Sequence, residues 1–417
     1  MLAIAALLAA AEIGATLILG GFFGLGRAEP LLFFAFRPWM LLAAALIVAG
    51  RGWRDRLLLY ASALLLAFLG ESALLLVLGA GDPWSGGIHG LGAGATLALA
   101  FDLAVQIGRR FGRVGLGTAA ALALAVLLLP GGLRPYDALV LPDAPRDASA
   151  TAKPELMLFT ALPIIWGEGG AFDPAARPAA SFRALEHEFR VRALDVLDRA
   201  SLGQGRLLLI AQPRALDPGE FVALDAWVRR GGRALILTDP ALTWPSKLPL
   251  GDLRRPPPVG LLAPLLTHWG LQLDPPFDPA VQVRLGRVRA DGPPRRLVMA
   301  SVGGLRRTRP GCLAAGGQAL CAKGAGRAVL IADADLLNDT LWLPEDAETD
   351  LRQRTADNPL VVADLLDSLA GLSRRRVIDP IQWIDPAVSP PAALLAGLLP
   401  LLLAGLGGLA LARVSRD

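Results

Sequence analysis

Six side chains with carboxylate, amide or hydroxyl chemistry stand at the ends of apolar runs: Gln212, Thr238, Asp239, Asp333 and Asp335, with Glu168 in the loop Trp166-Gly167-Glu168-Gly169-Gly170. The carboxyl ends of parallel strands are where doubly wound domains bind ligands. Converging Asp and Glu oxygens there could hold Ca²⁺ or Mg²⁺. The spacing argues otherwise, because Asp333-x-Asp335-x-x-Asn338 lacks the loop glycine and terminal glutamate of an EF-hand. Asp and Asn after strands commonly form turns and cap helices. The expectation is therefore no metal and no cofactor, with this crevice as the place for any small ligand or peptide.

Nucleophilic chemistry has less to work with. Cys312 and Cys321 are the only cysteines, and neither follows a parallel strand, where an elbow would present a nucleophile to an activating histidine. Of His89, His187 and His268, the latter two lie in helical contexts, and no Gly-x-Ser-x-Gly occurs. No Gly-x-x-x-x-Gly-Lys-[Ser/Thr] occurs either, so the chain cannot itself be the ATPase of a transporter. A non-catalytic protein is expected. The cysteines suit another purpose, since Cys312-Leu-Ala-Ala-Gly-Gly-Gln-Ala-Leu-Cys321 centres on Gly316-Gly317, a two-residue hairpin signal. Counting outward from that turn makes 312 and 321 a non-hydrogen-bonded pair with Cα atoms about 4.5 Å apart. That separation admits a disulfide, which is the expectation in an oxidising compartment. The spacing excludes a CxxC metal site.

Three more carboxylates, Glu12, Glu71 and Asp102, lie within apolar segments, where an ionisable group is a functional hypothesis by default. They could pair with one another or with a partner permease, and Asp102 could reach toward Arg109. Gly90-x-x-x-Gly94 permits close helix contact. Apolar residues make up 53% of the 417-residue chain and concentrate in 1–130 and 391–412. Runs of about 18 residues read as spans, because a helix rises ~1.5 Å per residue through ~30 Å of hydrocarbon. Met1–Phe23, Leu31–Ala49, Leu57–Gly79, Ile88–Ile107 and Gly115–Leu129 give five, the fourth weakened by its glycines and Asp102; Pro391–Ala412 gives a sixth. The first lacks a basic leader and contains Glu12, which favours an uncleaved anchor.

Charge placement then sets an orientation. Arg51, Arg54 and Arg56 follow the second span, Arg109, Arg110 and Arg113 the fourth, and Arg413 and Arg416 the last. With six spans all three clusters share one side, the cytoplasmic one. The polar stretch 131–390 then faces the periplasm of a bacterial inner membrane. Arg27 and Arg37 would sit on that outer side, against the scheme. No Lys/Arg block interleaved with aromatics occurs, so nucleic acid is not an expected partner; the lipid bilayer is.

Within the polar stretch, 131–154 reads as a linker, 155–372 as the globular domain and 373–390 as a return linker. Strands are expected over Leu156–Leu162, Val191–Leu197, Arg206–Gln212, Arg233–Asp239 and Arg327–Asp333, with helices over Ser181–Phe189, from Asp217 to Arg230, and over Asn358–Ala370. Continuous apolar strands of this kind belong to parallel sheets covered on both faces. Asp217, Pro218 and Glu220 form a capping-box start, and Gly231-Gly232 a stop. Val281–Cys321 breaks the alternation and reads as a small inserted β subdomain.

The segment LLLIAQPRALDPGEFVALDAWVRRGGRALILTDP, with Pro213, Leu216, Asp217, Glu220, Leu224, Trp227, Val228, Gly231, Gly232, Asp239 and Pro240 at the telling positions, resembles the core of the GldG-like family of ABC-transporter-associated membrane proteins. It is also similar to the related domain of unknown function DUF4350. Leu262–Leu271 and GRAVLIADADLLND followed by Asn358 extend the resemblance across 154–372. The resemblance implies a flavodoxin/amidotransferase-like doubly wound α/β domain flanked by transmembrane helices. It also implies an accessory role beside separate ATPase and permease subunits. The alternative is a membrane-anchored ligand-binding or sensory module.

Overall fold

The computed structural model describes residues 1–19, 27–28, 30–78, 85–129, 132–133, 136, 139, 153–170, 172–174, 176–249, 251–276, 278, 280–288, 294–347, 351–372, 381–383 and 390–414. Most of the expected linkers, 131–154 and 373–390, and Arg416 lie outside these residues. The chain divides into two compact units, 1–146 with 376–417, and 147–375.

The first unit is helical: α1 (Leu2–Leu19), a two-residue β1 (Arg27–Ala28), α2 (Pro30–Ile47), α3 (Trp53–Val77), α4 (Ser85–Arg110), α5 (Gly112–Leu128) and a C-terminal helix Pro390–Val414. β1 pairs antiparallel with Gln382–Trp383. Three described helices are long and apolar enough to cross a membrane: α3, α4 and the C-terminal helix. The apolar stretches Leu2–Thr16, Phe34–Ile47 and Gly112–Leu128 are shorter. Small residues let these helices meet. A Cβ on Gly70 of α3 would lie 2.9 Å from the Gly397 carbonyl of the C-terminal helix, and one on Gly408 would lie 2.9 Å from the Ala3 nitrogen of α1. The arginine-rich ends converge as well. The Arg109 guanidinium donates to the Ala49 carbonyl after α2, and Arg56 at the start of α3 pairs with Asp102 late in α4 at 3.0 Å.

The second unit is built on a seven-stranded sheet. Its elements are β2 (Glu155–Thr160), α6 (Ala180–Glu188), β3 (Arg190–Ala193), α7 (Arg199–Leu202), β4 (Leu207–Ala211), α8 (Pro218–Arg229), β5 (Arg233–Leu237), α9 (Ala263–Trp269), β6 (Leu271–Asp274), β7 (Gln282–Gly286), β8 (Arg295–Met299), β9 (Gly304–Arg307), β10 (Cys312–Ala315), β11 (Gln318–Lys323), β12 (Gly326–Ile331) and α10 (Asn358–Ala370). Strand order is β10-β11-β12-β5-β4-β2-β3, parallel from β12 through to β3. β4 is buried along its whole length, as a central parallel strand must be. Leu208, Ile210, Ala234 and Ile236 pack under α8 and α9; Leu209, Leu235 and Leu237 pack on the other face under α6 and α10. Each such buried leucine or isoleucine contributes about 1.5–3 kcal/mol over an exposed one.

Helix α8 starts as its sequence dictates. Glu220 Oε2 accepts the Asp217 N–H at 2.9 Å, Pro218 stands in the first turn, and Gly231 (φ 113°) ends the helix. Glu220 also accepts the Leu197 N–H at 3.0 Å and two hydrogen bonds from Arg214 at 2.8 Å each. Those partners, Arg214 foremost, hold its carboxyl at about 2, well below the ordinary 4.5.

The expected β insertion over 281–321 takes another form. Among the described residues β7 and β8 pair only with each other, and β9 pairs with β6. β10 and β11, however, extend the central sheet beyond β12. The reason is alternation: Ala319 and Cys321 turn inward while Leu320 stays exposed, which fits β11 to one covered face. The hairpin register is Cys312↔Cys321 through Ala315↔Gln318, as counting from the glycines requires. The two cysteines are disulfide-bonded, with Cα atoms 4.2 Å apart.

Candidate functional site

Two acid clusters stand out, one in each unit. In the sheet unit, Asp239 follows β5, and Asp333 and Asp335 follow β12, the adjacent parallel strand. All three are fully buried, and one carboxylate oxygen from each lies within 4.8 Å of the others. Asp239 accepts the Ala241 N–H at 2.8 Å and the Ala334 N–H at 3.1 Å. Asp335 Oδ2 accepts from the Thr243 backbone and hydroxyl, at 2.8 and 2.7 Å, and its Oδ1 accepts from Asn338 at 3.2 Å. Asp333 Oδ2 accepts the Ala300 N–H at 3.1 Å, while Oδ1 is buried without a hydrogen-bond partner. The turn-forming role expected of these residues holds for Asp239, which caps its own turn at Ala241, and for the Asp335–Asn338 contact; the other bonds are long-range ties to Ala334, Thr243 and Ala300.

Among the described residues, no lysine, arginine or histidine pairs with any of the three. Burial pushes the Asp239 carboxyl up to about 7, with the Asp335 charge adding to the effect. Burial, then Asp239 and Asp335, drives Asp333 well above the carboxylate range, and burial raises Asp335. Taking each charge out of water costs several kcal/mol unless something compensates it. Gln212 braces the site. Its Nε2 donates to the Asp239 and Pro257 carbonyls at 3.2 and 2.8 Å, and its Oε1 accepts the Asp239 N–H at 2.8 Å. Gln212 (φ 38°) and Ser301 (φ 49°) are the two described non-glycine residues with left-handed backbone. Both sit beside the cluster, and such strain gathers at ligand clamps.

Of the six side chains expected at the strand ends, four meet here: Gln212, Asp239, Asp333 and Asp335. Thr238 turns to the opposite face, where a Cβ on Gly260 would lie 2.3 Å from its hydroxyl. Glu168 accepts the Lys247 N–H at 3.1 Å and is not one of the converging acids. Gly260 opens onto a cleft of about 320 Å³ lined by Pro240, Val259, Ala263, Leu266 and Leu271, within the size range of small-molecule sites. Sequence reasoning placed Asn358 at a helix start but missed its role: its amide hydrogen-bonds both ways with the Val298 backbone inside β8, at 2.9 and 2.7 Å. Its signal was its place ahead of Pro359 at a helix start.

In the helical unit, Glu12 and Glu71 do not wait for a partner subunit. Buried Arg37 donates from Nε to Glu12 at 3.0 Å and from a terminal nitrogen to Glu71. It also stacks over Phe34 at 5.1 Å. The Gly90 and Gly94 pair makes the notch for this group, since a Cβ on Gly90 would come within 2.2 Å of Phe34 and 2.6 Å of Arg37. Arg37 is therefore an internal counter-charge within α2 rather than a loop charge. Asp102 corrects a second expectation. Its partners are Arg56 and the Tyr60 hydroxyl, the latter at 3.2 Å, while Arg109 turns to Ala49 and Gln106. Arg56 is close enough for an ion pair with Asp102 but is not aligned as a hydrogen bond.

No curated protein matches the chain. Solved structures overlap it only weakly, and three serve as examples. They are the exo-β-1,4-mannosidase Op5Man5 from Opitutaceae bacterium strain TAV5 (11% identity, 62% of this chain and 39% of that one, TM-score 0.29), the β-galactosidase from Rahnella sp. R3 (17%, 63% and 36%, 0.30) and the β-galactosidase from Bacillus circulans sp. alkalophilus (11%, 63% and 35%, 0.28). The chain spans well under half the length of each, and at these scores the overlap bears on neither fold nor activity. The informative match is to a family: residues 152–288, which carry β2 through β7 and Asp239, match the model of a family described as an ABC-type uncharacterized transport system.

Proposed function

We propose that this chain is a non-catalytic membrane accessory subunit of an ABC-type transport or surface-assembly system, working beside separate ATPase and permease subunits. The observation that carries the reading is the family match over 152–288 in a chain whose other unit supplies membrane-length apolar helices. The α/β unit, which we assign to the flavodoxin/amidotransferase-like class, would face the periplasm of a bacterial inner membrane and bind a partner or ligand. Orientation is supported by contacts within the helical unit. The Arg109–Ala49 bond and the Arg56–Asp102 pair bring two arginine clusters to one end, the end that stays cytoplasmic. The start of α1 packs on Gly408 of the C-terminal helix, and Arg413 lies in the last turn of that helix.

Full-length tagged chain, extracted from native membranes in mild detergent, should carry with it a subunit bearing a Gly-x-x-x-x-Gly-Lys-[Ser/Thr] loop. Repeated purification without any such ATPase would contradict the proposal. Alkaline phosphatase fused after Asp147 should be active, and fused after Arg110 inactive; the reverse pattern would invert the orientation. A membrane-anchored ligand-binding module is the second reading, and the cleft beside Gly260 favours it. Stoichiometric binding of a sugar or peptide by the full chain, with no ATPase associated, would select it.

A further inference from the structure

We propose that Asp239, Asp333 and Asp335 form a binding site for one hard divalent cation of the Ca²⁺ or Mg²⁺ class. Three observations carry this. The acids approach from the ends of two adjacent parallel strands to within 4.8 Å, oxygen to oxygen. Asp333 Oδ1 is fully buried and has no partner, whereas the other five oxygens of the three groups are held by N–H or O–H donors. No basic side chain among the described residues offsets the charge. A carboxylate oxygen can accept from an N–H and still coordinate an ion, so the existing hydrogen bonds aim the ligands rather than exhaust them.

The donor set selects the ion. It is all oxygen, with no sulfur or imidazole, and that chemistry suits Ca²⁺ and Mg²⁺ rather than softer metals. The chain's two cysteines are committed to the disulfide of the β10–β11 hairpin. Gln212 and Asn338 belong to the scaffold: Gln212 fixes the Asp239 backbone and Asn338 fixes Asp335. The rival account is a shared proton, with one or more acids neutral and no ion bound.

The test uses full-length chain in mild detergent, stripped with a chelator, desalted and titrated calorimetrically with CaCl₂ and separately with MgCl₂ near neutral pH. The result expected is one ion per chain for at least one of the two salts, accompanied by a rise in the unfolding midpoint. Asp333→Asn keeps an acceptor for Ala300 and places an amide where the unpaired oxygen stands. It should fold and bind at least about tenfold more weakly, because affinity follows the number of charged ligands. Should that variant not fold, Asp335→Asn is read the same way. Absence of binding by the wild-type chain to either salt overturns the proposal, and a midpoint that responds only to acidification then identifies the shared proton. Undiminished binding in the variants overturns it too, by placing the ion elsewhere.

Discussion

The two acid clusters solve one electrostatic problem in opposite ways. In the helical unit, two buried glutamates embrace a buried arginine, and a glycine notch on α4 makes room for it. In the sheet unit, three buried aspartates converge with no base among the described residues and one oxygen unpaired. A chain that supplies its own counter-charge closes a site, whereas a chain that withholds one leaves the site to something from outside. Burial of the acids and a buried oxygen without a hydrogen-bond partner, Glu12 Oε2 in one and Asp333 Oδ1 in the other, are common to both; what differs is the counter-charge.

Removing the internal base should break the comparison most severely. Arg37→Met strands Glu12 and Glu71 together and should cost about 3–5 kcal/mol, the usual penalty for breaking a buried ion pair. Thermal unfolding in detergent checks it, and an unchanged midpoint would mean the three groups are not paired. Loss of the disulfide should cost the sheet unit about 2–3 kcal/mol for a short closed loop, read as the drop in midpoint when Cys312→Ala/Cys321→Ala is compared with the parent. Glu220→Gln should cost about 1.5–3 kcal/mol by weakening charge-assisted hydrogen bonds to Arg214 and two backbone N–H groups. Glu220 also sets a pH signature. Its carboxyl titrates at about 2 when folded and near 4.5 otherwise, so its stabilisation is complete above about 4.5 and vanishes as pH falls through about 2. Comparing wild type with Glu220→Gln across that window should show the difference closing on acidification. Gly90→Ala should cost about 1–3 kcal/mol by pushing against Phe34 and Arg37.

Much of the sheet unit was legible because its signals are local. Asn358–Ala370 begins at Asn-Pro and ends at Gly371, whose left-handed φ of 71° suits glycine. The cysteine register follows from one two-residue turn. The joining of β10–β11 to the central sheet was not legible, since alternation shows that a strand has one covered face but not what covers it. The acids at the strand ends were legible, but not which of them meet. Asp239 and Asp333 are far apart in sequence, and they meet only because β12 lies beside β5. Arg37 was read as a charge on the outer side, because pairing it inside the helices required knowing that α1, α3 and α4 all pack around α2.

Elemental analysis of the purified full-length chain tests the contrast most directly. Prepared without chelator, wild type and Glu71→Gln should each retain one Ca²⁺ or Mg²⁺ per chain, and Asp333→Asn, binding at least about tenfold more weakly, should retain clearly less. Ion-free wild-type protein, or equal ion content in all three, would contradict the account.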